Sequence, residues 1–221
     1  MSKAIVLVSG GLDSLVTASI AAQENDELYF LHFNYRQRTE DKELESFKHI
    51  SNFYKPKQTK IITIEYIKDL GGNSLTDANL QIPIEHDLNI IPNTYVPFRN
   101  GNFLAIAAAW AELLFEDETV KIYIGATQVD GSNYPDCKES FFKKFEIAIN
   151  EGIKNNIAIC TPLMNLSKKD IVILGNKLNA PIEISWSCYS NNKEACGVCD
   201  SCYLRLKAFN DAGLKDPIKY K

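Results

Sequence analysis

With 221 residues, 45% of them hydrophobic, the chain can bury the core of one large domain, or of one domain with a small appendage. A formal net charge of −4 argues against a surface built to neutralise phosphate backbones, so no nucleic-acid partner is expected. No apolar stretch approaches the roughly 18 residues of a membrane span, and the run Ala4–Val8 is too short for a secretory signal, so a cytosolic protein is expected. Its six cysteines are then read as chemistry or metal ligands rather than disulfides.

In chain order, Ala4–Val8 is a short β-branched run with the character of a buried strand. Leu15–Ala22 is small and apolar, as in a helix lying on a sheet, and Leu28–Phe33 is a second strand. Thr39–Tyr54 turns helical, with Leu44, Phe47, Ile50 and Tyr54 at helical spacing. Ile61–Ile64 is a third strand. This βαβαβ order predicts a parallel sheet covered by helices. From Lys68 to Pro97 glycines, prolines and polar residues break the rhythm, and the segment reads as a long excursion ordered over a site. A helix over Asn100–Phe115, a strand over Lys121–Gly125, a helix over Phe141–Ile153 and a strand over Ile157–Thr161 follow. Ser167 is placed to cap a helix over Lys168–Leu178. The predicted architecture is a doubly wound, mostly parallel five-stranded α/β fold, residues 1–183, with a small C-terminal cysteine knuckle and terminal helix, residues 184–221, packed on it. Ligands of such sheets bind at the carboxyl ends of the strands, where the strand order reverses.

Directly after the first strand stands Ser9-Gly10-Gly11-Leu12-Asp13-Ser14. Paired glycines allow backbone angles that let several N–H groups converge on one anion. The helix behind adds unpaired N–H groups and a partial positive charge, worth roughly 0.3–1 kcal/mol per contact. The serines can donate hydroxyl hydrogen bonds, and Asp13 can hold Mg²⁺ or cap the helix. No Gly-Lys-Ser/Thr follows, so this is not the kinase-type phosphate loop, and the dinucleotide pattern GxGxxG is absent.

Cys188, Cys196, Cys199 and Cys202 follow a C-x7-C-x2-C-x2-C spacing. Four thiolates suit tetrahedral Zn²⁺, and a site with four protein ligands is closed and structural. The compact C-x2-C-x2-C run also occurs around iron–sulfur clusters, although the C-x3-C-P continuation is missing here. Cys137 stands apart and reads equally as a nucleophile or as a packed thiol. His32 follows a strand in an adenine-side position, with no catalytic role assigned.

The glycine loop resembles the pyrophosphate loop, SGGxDS, of the ATP pyrophosphatase superfamily, whose members adenylate a substrate oxygen and release pyrophosphate. Four further motifs narrow the resemblance: Tyr95-Val96-Pro97-Phe98-Arg99-Asn100, Asp130 to Cys137, Thr161-Pro162-Leu163 with Leu166-Ser167-Lys168, and Trp186-Ser187-Cys188-Tyr189 with Ala195 to Arg205. In this order they are similar to the 7-cyano-7-deazaguanine synthase family, from the first strand to about Phe209. Phe98 stands where the family pattern VPGRN has glycine, which opens a different backbone shape before Arg99. Tyr35-Arg36-Gln37 departs from the family's QRH.

The resemblance implies an adenine nucleotide α-hydrolase-like fold and conversion of 7-carboxy-7-deazaguanine, ammonia and ATP to the nitrile. It implies ATP on Val8, Ser9, Gly10, Gly11, Leu12, Asp13, Ser14, Leu15, Val16, Thr17 and Ala18, with Mg²⁺ placed by Asp13 or Asp130. Lys168 is expected over the α-phosphate and Arg99 on phosphate or on the substrate carboxylate. Asn100, Asp130, Tyr134 and Asp136 are expected to bind the substrate, Asn100 beside Arg99 on phosphate or the carboxylate, and Tyr134 with Asp136 on the deazapurine. One structural zinc ion on the four cysteines and a homodimer complete the expectation. A tRNA-modifying thiolase or ligase, an amidotransferase subunit, and a nucleotide-binding scaffold without turnover are the competing readings.

Overall fold

The structure is a computed structural model that describes residues 1–84, 91–116, 118–128 and 134–221. Five strands form one parallel sheet: β1 (Lys3–Leu7), β2 (Glu27–Asn34), β3 (Gln58–Thr63), β4 (Thr119–Tyr123) and β5 (Asn156–Cys160). Their order is β3-β2-β1-β4-β5, so the chain winds outward from β1 first to one edge and then to the other. Because strand side chains alternate, β1 sends Ile5 and Leu7 to one face and Ala4 and Val6 to the other, and each set enters a different core. Both faces are therefore covered by helices, as parallel sheets require.

On one face lie α1 (Leu12–Glu24), α2 (Glu40–Tyr54), α6 (Lys168–Lys177) and α7 (Asp200–Asp211). Their core contains Leu15, Phe47, Ile50, Ile171 and Phe209. On the other lie α4 (Arg99–Leu114) and α5 (Glu139–Gly152), with Leu104, Trp110, Phe142 and Ile149 in the core, and the short α3 (Tyr66–Leu70), which contributes Ile67. The first helix begins at Leu12, three residues before its apolar run, which brings Asp13 and Ser14 into its first turn. Ser167 caps α6 as its position predicts: its hydroxyl accepts from Asp170 N at 3.1 Å, and Asp170 Oδ2 accepts from Ser167 N at 3.3 Å.

The four cysteines sit in a third, small core with Trp186 and Ala195. Their sulfurs all lie within 4.8 Å of one another. Arg205 of α7 ties this end together through a buried ion pair, Nε to Asp216 Oδ2 at 2.7 Å, and through bonds to Ser185 Oγ at 2.9 Å and Ser187 Oγ at 3.1 Å. With both side chains only 3% exposed, each charge depends on the other, because breaking a buried pair costs about 3–5 kcal/mol. Ala208 and Phe209 of α7 enter the same core as α1, so the C-terminal segment packs on the sheet domain rather than beside it. Among the described residues no helix is long and apolar enough to cross a membrane.

Candidate active site

A cavity of about 300 Å³ opens at the carboxyl ends of the strands, beside β1, where the winding reverses. Its walls come from the segments that leave β1, β2 and β4, from the starts of α1, α4 and α6, and from the cysteine end.

The loop after β1 forms one wall. Gly10 has φ +95°, and a Cβ there would stand 2.5 Å from the Glu43 carbonyl oxygen, so only glycine fits. Ser9 and Ser14 hydroxyls are 3.1 Å apart, Gly11 N donates to Ser9 Oγ at 3.2 Å, and Ser14 Oγ donates to Gly11 O at 2.9 Å. The helix α1 starts without a side-chain cap, which leaves first-turn N–H groups available to an anion at the cavity. Val8, Ser9, Gly11, Leu12, Asp13 and Ser14 line the cavity. Leu15, Val16, Thr17 and Ala18 do not: all four are fully buried, on the turn of α1 that packs into the protein. These four residues stand behind the loop rather than on the cavity.

Gly125, just after β4, allows the start of α1 to approach the sheet. A Cβ on it would lie 2.9 Å from the backbone carbon and oxygen of Asp13 and from Thr17 Oγ1. Gly125→Ala is expected to destabilise the protein by about 1–3 kcal/mol, because backbone cannot yield cheaply, and to displace Asp13. Thermal unfolding and ATP turnover measured on the same preparation check both effects.

Lys168 is the first residue of α6, and its ammonium pairs with Asp13 Oδ2 across 155 positions of sequence. A cation at a helix N-terminus opposes the helix dipole, so this placement is locally unfavourable. It is retained where the ammonium meets an acid and faces the phosphate-type loop, and such local conflict is expected at functional sites.

Arg99 begins α4 and lines the cavity. Its Nη1 donates to Tyr35 Oη at 3.1 Å, and its guanidinium carbon stands 5.7 and 5.9 Å from the ring centroids of Tyr35 and Phe103. Among the described residues no carboxylate forms an ion pair with it. Burial pushes the Tyr35 phenol up to about 12, so it stays protonated as a hydrogen-bonding partner. The residue before Arg99 resolves the departure at Phe98. Phe98 adopts φ 55°, ψ 26°, the left-handed region that glycine occupies freely. The strain, about 1–3 kcal/mol, is offset by edge contacts of its ring with Phe141 and Phe145 at 5.8 and 5.9 Å. Gly101 is its complement, since a Cβ there would lie 2.4 Å from the Phe98 ring.

Asn100 and Tyr134 line the cavity. Asp136 does not. It is buried, and its Oδ2 accepts from Asn100 N at 2.9 Å while its carbonyl accepts from Asn100 Nδ2 at 3.0 Å. Asp136, expected on the substrate, thus stands behind Asn100 and is bonded to the start of α4. Asp130 lies outside the described residues. Cys137 lines the cavity, with Asn100 Nδ2 3.3 Å from its sulfur; burial, reinforced by Asp136, pushes its thiol up to about 11, which disfavours the thiolate a nucleophile needs. His32 is fully buried, stacked on Phe47 and held by Val8 O at 2.9 Å, and burial lowers its pKa, so it is a neutral strut. From the excursion, Thr94 reaches the cavity and bonds to Tyr134 Oη at 2.9 Å.

The cysteine end supplies another wall through Trp186, Ser187, Tyr189 and Asp200. All six cysteines are free. The Cys196 and Cys202 sulfurs stand 3.8 Å apart, which matches the edge of a tetrahedron with metal–sulfur bonds of about 2.3 Å. Backbone N–H groups point at the sulfurs: Ser190 N at 3.4 Å and Cys196 N at 3.3 Å on Cys188, and Cys199 N at 3.3 Å on Cys196. Donor set and spacing fit a closed metal site of the zinc-knuckle type.

Sequence reasoning missed Glu43, Tyr35 and Thr94 as cavity residues. Glu43 gave no signal of its own, because a glutamate near the start of a helix is ordinary dipole chemistry.

Residues 3–213 match the family described as "Queuosine biosynthesis protein QueC". The chain is 50% identical over 221 residues to a protein of Nitratiruptor, covering 99% of both. It is 48% identical over 224 residues to one of Campylobacter jejuni subsp. doylei, covering 99% of this chain and 98% of that one. A third relative, from Nautilia profundicola, is 48% identical over 223 residues, covering 100% and 99%. All three are named 7-cyano-7-deazaguanine synthase. Among solved structures the fold is similar to a predicted tRNA methyltransferase subunit of Methanocaldococcus jannaschii, with TM-score 0.53, 15% identity, and coverage of 100% of this chain and 93% of that one. It is also similar to NMN synthetase of Francisella tularensis, with TM-score 0.51, 15% identity, and coverage of 97% and 78%. At that identity the likeness speaks for the fold alone, whereas the near full-length match to the family speaks for membership: the chain belongs to the QueC family of queuosine biosynthesis proteins.

Proposed function

We propose that the chain converts 7-carboxy-7-deazaguanine and ammonia to 7-cyano-7-deazaguanine at the expense of two ATP, each cleaved between its α- and β-phosphates. The observation that carries this reading is the convergence of Asp13, Lys168 and Arg99, from three distant parts of a chain in this family, on one cavity. A carboxylate is a poor electrophile, so its oxygen first attacks the α-phosphorus of ATP and pyrophosphate leaves. Ammonia then attacks the acyl carbon and AMP leaves, giving the amide. The amide oxygen attacks the α-phosphorus of a second ATP and pyrophosphate leaves; loss of AMP and of both nitrogen protons then yields the nitrile.

The uncapped start of α1 with Ser9 and Ser14 receives the leaving pyrophosphate, and magnesium arriving with the nucleotide is held at Asp13. Lys168 stands over the α-phosphate, where negative charge grows in the transition state. Arg99 orients the substrate carboxylate, with Asn100 and Tyr134 along the deazapurine. The four cysteines hold one structural zinc ion per chain, and the assembly is a homodimer in the cytoplasm.

The test is an assay of purified protein with ATP, Mg²⁺, ammonium and 7-carboxy-7-deazaguanine, read by mass spectrometry. A nitrile product with two AMP per turnover is expected. Folded, zinc-loaded protein that leaves this acid unchanged would move the assignment to another adenylated substrate.

A further inference from the structure

Glu43 is one of three acids among the described residues that line the cavity, with Asp13 and Asp200. It projects from α2 and lines the same wall space as Arg99, Tyr35 and the glycine loop. Asp13, the other acid beside the loop, is paired with Lys168, but no cation stands within ion-pair distance of Glu43 among the described residues. Its oxygens are instead held by neutral donors: Thr39 Oγ1 gives to Oε1 at 2.7 Å, and Gln37 Nε2 gives to Oε2 at 3.0 Å. Gln37 is itself fixed, its Oε1 accepting from Tyr35 N at 2.9 Å. Two single hydrogen bonds fix the carboxylate in place and leave it lone pairs to spare. Burial pushes its pKa up. The bonds from Thr39 and Gln37 and the charge of Arg99 oppose that shift, while Glu40 adds to it. The result is a held carboxylate of raised basicity that lines the cavity without an ion-pair partner among the described residues.

The reaction proposed above needs such a group once the acyl-adenylate has formed. Ammonium dominates in solution near neutral pH and has no lone pair, so it cannot attack. We propose that Glu43 is the general base that receives ammonium in the cavity and deprotonates it, an inference that rests on the reaction assigned above. One ammonium proton passes to a Glu43 oxygen. The freed nitrogen lone pair forms the C–N bond, the C–O bond to AMP breaks, and its electron pair leaves with AMP. The nitrogen then loses a second proton to solvent, leaving the neutral amide. The negative charge of Glu43 also offsets the repulsion that a cation would meet from Arg99 and Lys168.

The step can be isolated, because adenylation precedes it and needs no ammonia. In Glu43→Gln, exchange of pyrophosphate into ATP, driven by 7-carboxy-7-deazaguanine without ammonium, is expected to stay within about threefold of the unsubstituted protein, while single-turnover amide formation from ammonium chloride falls at least about 100-fold. Methoxyamine, neutral at pH 7, requires no deprotonation before attack. With it as nucleophile the variant is expected to form the methoxyamide within about fivefold of the unsubstituted protein, since the base is bypassed. The retained exchange doubles as the control for folding. Equal loss in exchange and amide formation would overturn the proposal and make Glu43 a substrate or metal ligand, and so would a failure of methoxyamine to restore the rate. Unsubstituted protein inert in exchange with this acid would overturn the substrate assignment, and this inference with it.

Discussion

Lys168→Ala is expected to lower ATP turnover by about 10²–10³-fold, the usual loss when one preorganised group is removed from a developing charge. The melting temperature should move little. The Asp13–Lys168 pair is partly exposed, with side chains 26% and 21% accessible, so its contribution to stability is about 0–1 kcal/mol. In a domain of this size that is about 2–4 °C at most. The two effects therefore separate cleanly. If Lys168 served only to neutralise Asp13, a higher Mg²⁺ concentration would replace it in Lys168→Ala, because the cation would balance the same acid. Lys168→Ala is instead expected to stay inactive at saturating ATP and raised Mg²⁺, since Lys168 acts on the phosphate. Recovery of AMP release at raised Mg²⁺ would assign the lysine to charge balance.

Loss of the metal should be as damaging by a different route. The cysteine end is a wall of the cavity: Trp186, Ser187, Tyr189, Asp200 and Ser201 all line it. Its own core is small, with Trp186, Ala195 and the cysteines themselves as its main members. In a core of that size a bound metal adds its ligand free energy directly to folding, beside the Arg205–Asp216 pair and the packing of α7. Cys199→Ser removes one ligand and the residue that opens α7. It is expected to abolish stoichiometric zinc, to lower the melting temperature by roughly 10 °C or more for a loss of several kcal/mol, and to lose activity with it. Elemental analysis beside a thermal melt measures both, and colourless protein with one zinc per chain separates zinc from an iron–sulfur cluster. Metal-stripped protein that melts and turns over as before would remove the structural role.

Much of the candidate site is written in short contiguous motifs, and such motifs are legible because their chemistry is local. Gly10 must be glycine for its own φ and for its contact with Glu43, and the Ser9 and Ser14 hydroxyls meet within six residues. The cysteines announce themselves by spacing. Ser167 caps α6 within its own turn. The alternation of apolar strands and amphipathic helices likewise carried the α/β class, since parallel strands need helical crossovers between them.

What the motifs could not carry is direction. Leu15–Ala18 sit next to the loop in sequence, yet α1 turns them into the core within one helical turn. Asp136 looks like a substrate acid, and only the packing of its turn against α4 spends it on Asn100. Glu43 is indistinguishable in sequence from the acids around it on α2, and it becomes a cavity residue because β2 and α2 bring it beside Gly10 and Arg99. Phe98 departs from the glycine pattern yet takes a left-handed backbone, with two phenylalanines on α5 and the missing Cβ of Gly101 making room for its ring. The sequence by itself determined the strand–helix order, the glycine loop and the cysteine cluster, all properties of neighbours along the chain. The tertiary structure decided which side chains share the cavity and which of them are already spent, because contacts between residues as far apart as Asp13 and Lys168 exist only once the sheet has closed the distance.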